Sequence, residues 1–229
     1  MPNDFFKFKQ FTVFQSRCAM KVGTDGVLLG AWAHGGCTVL DIGTGTGLIA
    51  LMMAQRFPEA EVIGVDIDAD ACLQATENVN ASPFNIIISH KDVALVEGVF
   101  DAIVSNPPYF AASLKSPDEK RNLARHDTTL NFHQLVSHAW RLLHDDGEFS
   151  VIIPADAKSV LEAEAYLIGF CKSRECAVKT TIKKQPKRYL LAFRKHATNQ
   201  IETSVEILES TPGNRSEWYS SLTKDFYLR

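Results

Sequence analysis

The stretch "DIGTGTG", residues 41 to 47, joins one carboxylate to three glycines at alternate positions. Residues of these types could seat a small ligand against bare backbone and meet one charged group on it. The spacing D-x-G-x-G-x-G brings the third glycine one place earlier than in the pyrophosphate-binding G-x-G-x-x-G, and Asp41 stands at the loop's entry. A carboxylate repels a pyrophosphate and attracts an ammonium, so the expected ligand carries positive charge beside Asp41. On its own the loop also fits a tight turn from strand to helix that needs positive φ.

Other residues add to this. Asp66 follows Gly43 by twenty-three positions and supplies the two-oxygen acceptor that a pair of ribose hydroxyls needs, with Ile67 beside it. A ribose on one side and an ammonium on the other describe S-adenosylmethionine. Asp68 fits better as a helix cap, and Asp92, read from the residues alone, as a helix or turn cap. "SNPPYF", residues 105 to 110, ends an apolar run with an amide, two prolines and two aromatics. Two prolines cannot donate to a ladder or continue a helix, so the chain is stiffened and stopped there, with Asn106, Pro107, Pro108 and Tyr109 fixed in sequence.

Elements that alternate along the chain must position these residues. "TVLDI", "EVIGVDI", "NIIISH" and "FDAIVSN" read as strands, and helices are expected after the glycine loop and over 68 to 81. A further helix over 131 to 147 presents Leu135, Val136, Ala139, Leu142 and Leu143 on one face and closes at Gly147. "EFSVIIP", a helix over 156 to 170, "ECAVKTTI" and "RYLLAFRK" follow. Such alternation predicts an α/β, Rossmann-like, doubly wound fold, a mostly parallel seven-stranded sheet with helices on both faces. Residues 1–35 form a cap segment on a domain of 36–229. Ligands of such sheets sit beyond the carboxyl ends of the strands, which gathers Asp41, the glycines, Asp66, Asp92 and Asn106 into one crevice.

Composition narrows the classes. With 229 residues and 45% apolar content the chain can bury a sizeable core. No apolar run approaches the roughly 18 residues of a membrane span, and "MPNDFFKFKQF" lacks the basic-then-apolar order of a secretory signal, so a cytoplasmic location is expected. Five scattered cysteines without a C-x-x-C pair, and seven histidines without ligand spacing, give neither a disulfide framework nor a metal site. Between Lys172 and Lys195 nine Lys or Arg face one acid, a balance of +8, so the remainder carries −11 of the net −3. Concentrated charge of one sign suits a phosphate backbone, although a charge run is more often a solvated face. Lys183, Lys184, Lys187 and Arg188 lie at its centre, and Arg121, Arg125 and His126 in an irregular stretch before the helix.

"VLDIGTGTGLIAL", "GVDID" and "SNPPY" together resemble the class I S-adenosylmethionine-dependent methyltransferases, in the branch that methylates amino groups of planar systems. "FKFKQFTVFQSRCAMKVGTDGVLLGAWA" and "SEWYSSLTKDFYLR" resemble, more narrowly, the bacterial tRNA adenine N6-methyltransferases that act on adenine 37, beside the anticodon of a valine tRNA. The resemblance runs from Phe8 to Leu228. It implies S-adenosylmethionine as cofactor and tRNA as partner; no metal, no membrane and a monomer are expected beside them. It also implies that Asp92 meets the adenine amino group of the cofactor, the cap being the alternative, and that Lys21, Thr24 and Asp25 close over the cofactor, where the alternative is a turn anchored by Gly23 and Gly26. Asn106 and a proline carbonyl would accept the two N–H bonds of the target amine, and Tyr109 would stack on its ring. The same motif also serves methylation of guanine N2 in rRNA or of a protein glutamine amide, and a catalytically idle RNA-binding module is the rival from another class.

Overall fold

Aliphatic and β-branched runs too short for helices are stable only when both of their faces are covered, and here each becomes a strand of one sheet. The computed structural model describes residues 4–17, 21–108 and 131–228. In chain order its elements are β1 (Phe5–Lys7), β2 (Thr12–Phe14), α1 (Thr24–Trp32), β3 (Thr38–Ile42), α2 (Leu48–Arg56), β4 (Glu61–Asp66), α3 (Ala69–Asn80) and β5 (Ile86–His90). A 3₁₀ turn (Val93–Leu95) leads to β6 (Phe100–Ser105), and α4 (Phe132–Leu142), β7 (Leu143–Pro154), α5 (Lys158–Ile168), β8 (Cys171–Lys179) and β9 (Arg188–Arg194) follow. The described chain closes with β10 (Glu202–Ile207), β11 (Glu209–Thr211), β12 (Asn214–Arg215) and α6 (Glu217–Leu222).

The main sheet has the order β10-β8-β9-β7-β6-β3-β4-β5. Its pairs are parallel except for β9, which runs antiparallel to both β7 and β8. The chain moves outward from β3 to β4 and β5, then returns to lay β6 on the other side of β3. That reversal opens a crevice above β3 and β6. Val39, Ala102, Val104 and Ile152 turn to the face covered by α1, α2 and α3; Leu40, Ile42, Ile103, Phe149 and Val151 turn to the face covered by α4 and α5.

The sheet has eight strands and not seven. The additional strand, β10, reads "ETSVEI", too polar for an apolar run, and its place is set by its parallel ladder with β8. The expected helix over 131 to 147 is also shorter. Asn131 and Gln134 form a reciprocal capping box at its start, but it stops at Leu142, and Leu143 already belongs to β7. Leu143 pairs with Phe100, and Glu148 with Ala102, so the polar residues between them are accommodated as a ladder irregularity. Gly147 sits inside that strand, where a Cβ would lie 2.8 Å from the Asp101 carbonyl oxygen, too close for any side chain. Gly26 likewise belongs to α1 and anchors no turn.

Among the N-terminal residues Phe8, Phe11, Val13, Val27 and Leu28 are buried in the same core as the sheet. Phe8 bridges to Tyr227, and Phe6, Phe8 and Phe11 pack with Tyr227 and Phe84.

Candidate functional site

The two strands at the reversal end side by side. Ile42 pairs with Ser105, and the Ser105 hydroxyl donates to the Ile42 carbonyl at 2.9 Å, so β3 and β6 are pinned where their loops begin. From β6 the chain leaves through Asn106, Pro107 and Pro108: half-buried, buried and exposed in turn. From β3 it enters the glycine loop, where Gly43, Gly45 and Gly47 take φ of 72°, 55° and 78°. These left-handed values favour glycine, and at Gly43 and Gly45 the space a Cβ would fill is open. The Gly43 and Thr44 amides donate to the Val65 carbonyl of β4, fixing the loop against its neighbour.

Asp41 is completely buried beneath this loop. Its Oδ2 accepts from the Thr44 hydroxyl at 2.7 Å and the Ala50 amide at 3.2 Å, while its Oδ1 has no partner among the described residues. Burial pushes the carboxyl up to about 7, against the pull of the two hydrogen bonds, and the charge of Asp66 adds to the rise. A buried carboxylate oxygen without a donor fits a cationic or N–H-bearing ligand group.

At the end of β4, Asp66 accepts the Gly45 amide on Oδ2 at 2.9 Å and the Asp68 amide on Oδ1 at 3.0 Å. Each oxygen keeps a second lone pair for a ligand hydroxyl. Ile67 beside it is 52% exposed, an apolar face suited to a flat base, and its carbonyl meets His90 Nε2 at 3.0 Å. Asp68 caps α3 through the Asp70 and Ala71 amides, as expected. Asp92 caps the 3₁₀ turn through one oxygen, which leaves the other for a ligand, and Arg141 holds that turn by the carbonyls of Val93, Ala94 and Val96. The structure therefore brings Asp41, Gly43, Gly45, Gly47 and Asp66 into one bonded unit and sets Asn106 next to it. Lys21 and Thr24 are exposed around the start of α1, whose Asp25 pairs with Arg188 Nε at 2.6 Å. Tyr109, Arg121, Arg125 and His126 lie outside the described residues.

The basic tract divides in two. Lys172 pairs with Glu162 and Glu175, Arg174 and Arg194 both pair with Glu148, and Lys195 pairs with Asp145. Burial would raise Glu148, but the hydrogen bonds from His34 and Arg174 prevail and hold its carboxyl at about 2. These cations flank the N-terminal ends of β7 and β8, away from the crevice. The turn between β8 and β9 emerges at the opposite, C-terminal edge. There Lys179, Lys183, Lys184 and Lys187 have no ion pair among the described residues. Among the described residues no group of three metal-ligating side chains occurs, and no helix is long and apolar enough to cross a membrane.

An open sheet of this order, with a glycine loop where the order reverses, is the architecture of the S-adenosylmethionine-dependent methyltransferases. A predicted O-methyltransferase from Agrobacterium tumefaciens superposes with a TM-score of 0.68 at 18% identity, over 88% of this chain and 96% of that one. The T. thermophilus 16S rRNA N2 G1207 methyltransferase, solved with AdoMet and guanosine, gives 0.57 at 23% identity, over 85% of this chain and 52% of that one. The chain belongs to the methyltransferase small domain family, whose model matches residues 13–167. It is 51% identical to the tRNA1(Val) (adenine(37)-N6)-methyltransferase of Phocaeicola vulgatus, over 100% of this chain and 99% of that protein. It is 45% identical to the protein of the same name from Parabacteroides distasonis, over the full length of both. S-adenosylmethionine is its cofactor.

Proposed function

We propose that this chain transfers the methyl group of S-adenosylmethionine to the exocyclic N6 of an adenine in tRNA, adenine 37 of a valine tRNA as in the names of its full-length relatives. The observation that carries the reading is the departure of Asn106-Pro107-Pro108 from β6 directly beside the glycine loop of β3, joined to it through Ser105 and Ile42. When bound, the cofactor supplies an electrophilic methyl. Asp41 faces its ammonium, Asp66 its ribose hydroxyls, and Ile67 and Asp92 its base, with Lys21 and Thr24 at the rim.

An exocyclic amine conjugated to a ring is a poor nucleophile because its lone pair is delocalised. The Asn106 side-chain oxygen and the Pro107 carbonyl accept its two N–H bonds, which favours a pyramidal nitrogen with its lone pair free to attack. Catalysis is then positioning and polar preorganisation. Tyr109 stacks on the base, which must leave its own stack to reach the site. Single-turnover transfer of labelled methyl to tRNA, followed by nucleoside analysis, tests the reading. The expected product is N6-methyladenosine; label on guanine N2 or on a protein glutamine overturns it.

The lysines of the β8–β9 turn face the same edge as this site and are assigned to the tRNA backbone. Replacing Lys183, Lys184 and Lys187 together with alanine is expected to weaken tRNA binding and to flatten its dependence on log salt by about 2 units, close to 0.7 to 0.9 per lost phosphate contact. Affinity for the cofactor should not move. A salt slope equal to that of the wild type would assign these lysines to solvated surface.

A further inference from the structure

Two amides are turned inward on α3. Gln74 and Asn78 lie one helical turn apart and are both completely buried, among Ala71, Cys72, Ala75 and Val79. A buried amide is costly unless its donors and acceptors are met. Here they are met largely by the backbone of two other segments. Asn78 Nδ2 donates to the Phe14 carbonyl at 2.8 Å and to the Thr46 carbonyl at 2.9 Å, while its Oδ1 accepts the Phe14 amide at 2.8 Å. Gln74 Oε1 accepts the Arg17 amide at 3.2 Å and the Ser16 hydroxyl at 3.4 Å, and its Nε2 donates to Glu77.

Thr46 stands between two left-handed glycines, so its carbonyl is turned out of any ladder and needs a donor. The same peptide plane carries the Gly47 amide, which donates to the Thr44 carbonyl at 2.8 Å. Asn78 holds one end of this plane and Thr44 the other. Thr44 in turn donates to Asp41, so the plane reaches the buried carboxylate through one residue. Through Phe14, the same amide ties the plane to β2.

We propose that Asn78 and Gln74 are positioning residues for cofactor binding: Asn78 fixes the Thr46–Gly47 peptide, and the two amides together tether residues 14–17 to α3 beside it, so that the N-terminal strand and the glycine loop form one cofactor-responsive unit. The proposal rests on seating the cofactor at the glycine loop. It gives a chemical reason for two amides on a helix face that packing alone would fill with apolar residues.

Calorimetric titration with S-adenosylhomocysteine, paired with steady-state kinetics, tests it. Asn78→Ala and Gln74→Met are each expected to raise Kd, and KM for S-adenosylmethionine, at least tenfold, with kcat at saturation within about threefold of wild type. Leu142→Ala, in the core on the other face, should lower Tm comparably and leave Kd unchanged. In the wild type, S-adenosylhomocysteine should slow hydrogen exchange at the Phe14 and Arg17 amides. Saturable binding by the wild type in the same titration verifies the seat separately. If Asn78→Ala folds poorly, Gln74→Met, which keeps the side-chain volume, decides. Wild-type Kd in the folded variants, or exchange at Phe14 and Arg17 indifferent to ligand, overturns the proposal.

Discussion

Asn106→Ala should bind S-adenosylhomocysteine with wild-type affinity and transfer methyl about 10²- to 10³-fold more slowly, the loss usual for one preorganised polar group removed from a reacting centre. The loss should appear in kcat and not in either KM, as expected of an acceptor that interacts most strongly when the nitrogen becomes pyramidal. The fold should hold, since β6 ends at Ser105 and the ladder does not include Asn106. Rapid-quench single turnover separates the chemical step from tRNA release. A full-rate Asn106→Ala enzyme would remove the amide from the mechanism.

Asp41→Asn should make the cofactor-free protein more stable at pH 8 and bind the cofactor about 10- to 100-fold more weakly, as expected for one charged hydrogen bond lost. The sign follows from the carboxyl's raised value. Unfolded, it titrates near its ordinary 3.8; folded, burial pushes it up to about 7. Between those values the folded state binds the extra proton, so stability contributed by neutral Asp41 is full below about pH 4 and is lost as pH rises through about 7. The loss is on the order of 4 kcal/mol. Asparagine keeps an oxygen for Thr44 and Ala50 and places an uncharged NH₂ where Oδ1 lacks a donor. Wild-type Tm should therefore fall, relative to Asp41→Asn, between about pH 4 and 7. Cofactor affinity of the wild type should rise through the upper part of that window as the carboxylate assigned to the ammonium ionises. Parallel Tm profiles for the two proteins would contradict this account.

The centre of the fold was legible because β3 to β6 are aliphatic runs bounded by glycine, proline and acidic residues. The carboxylates were legible because each stands where a strand ends. Other parts were hidden for physical reasons. α1 contains Gly26 and Gly30, poor helix formers, and the reason lies in tertiary contact: a Cβ at these positions would lie within 2.9 Å of Leu48 and 2.8 Å of Met52 on α2. β10 has too few apolar residues to announce itself. The end of α4 was misplaced because Leu142 and Leu143 are both buried, one by a helix and the next by a strand. A charge count shows the basic tract but not which of its cations are paired, since Glu148, Asp145 and Asp25 lie well outside it in sequence and only the fold brings them back. Gln74 and Asn78 carried one signal, an i, i+4 polar pair on the face that also bears Ala71 and Ala75, which periodicity alone reads as a gap in an apolar stripe.

The antiparallel course of β9 makes the ligand edge of the sheet easy to alter. In an all-parallel sheet each new loop at the ligand edge requires another crossover helix, whereas a strand running back returns its turn to that edge within residues 180–187. Hairpin tips tolerate insertion, deletion and changes of charge with little effect on the strands beneath. Length and charge at this rim can thus be changed through one short turn, while the glycine loop and the Asn-Pro-Pro departure stay anchored to the sheet beneath. The rim and the methyl-transfer site are therefore separately editable parts of one fold.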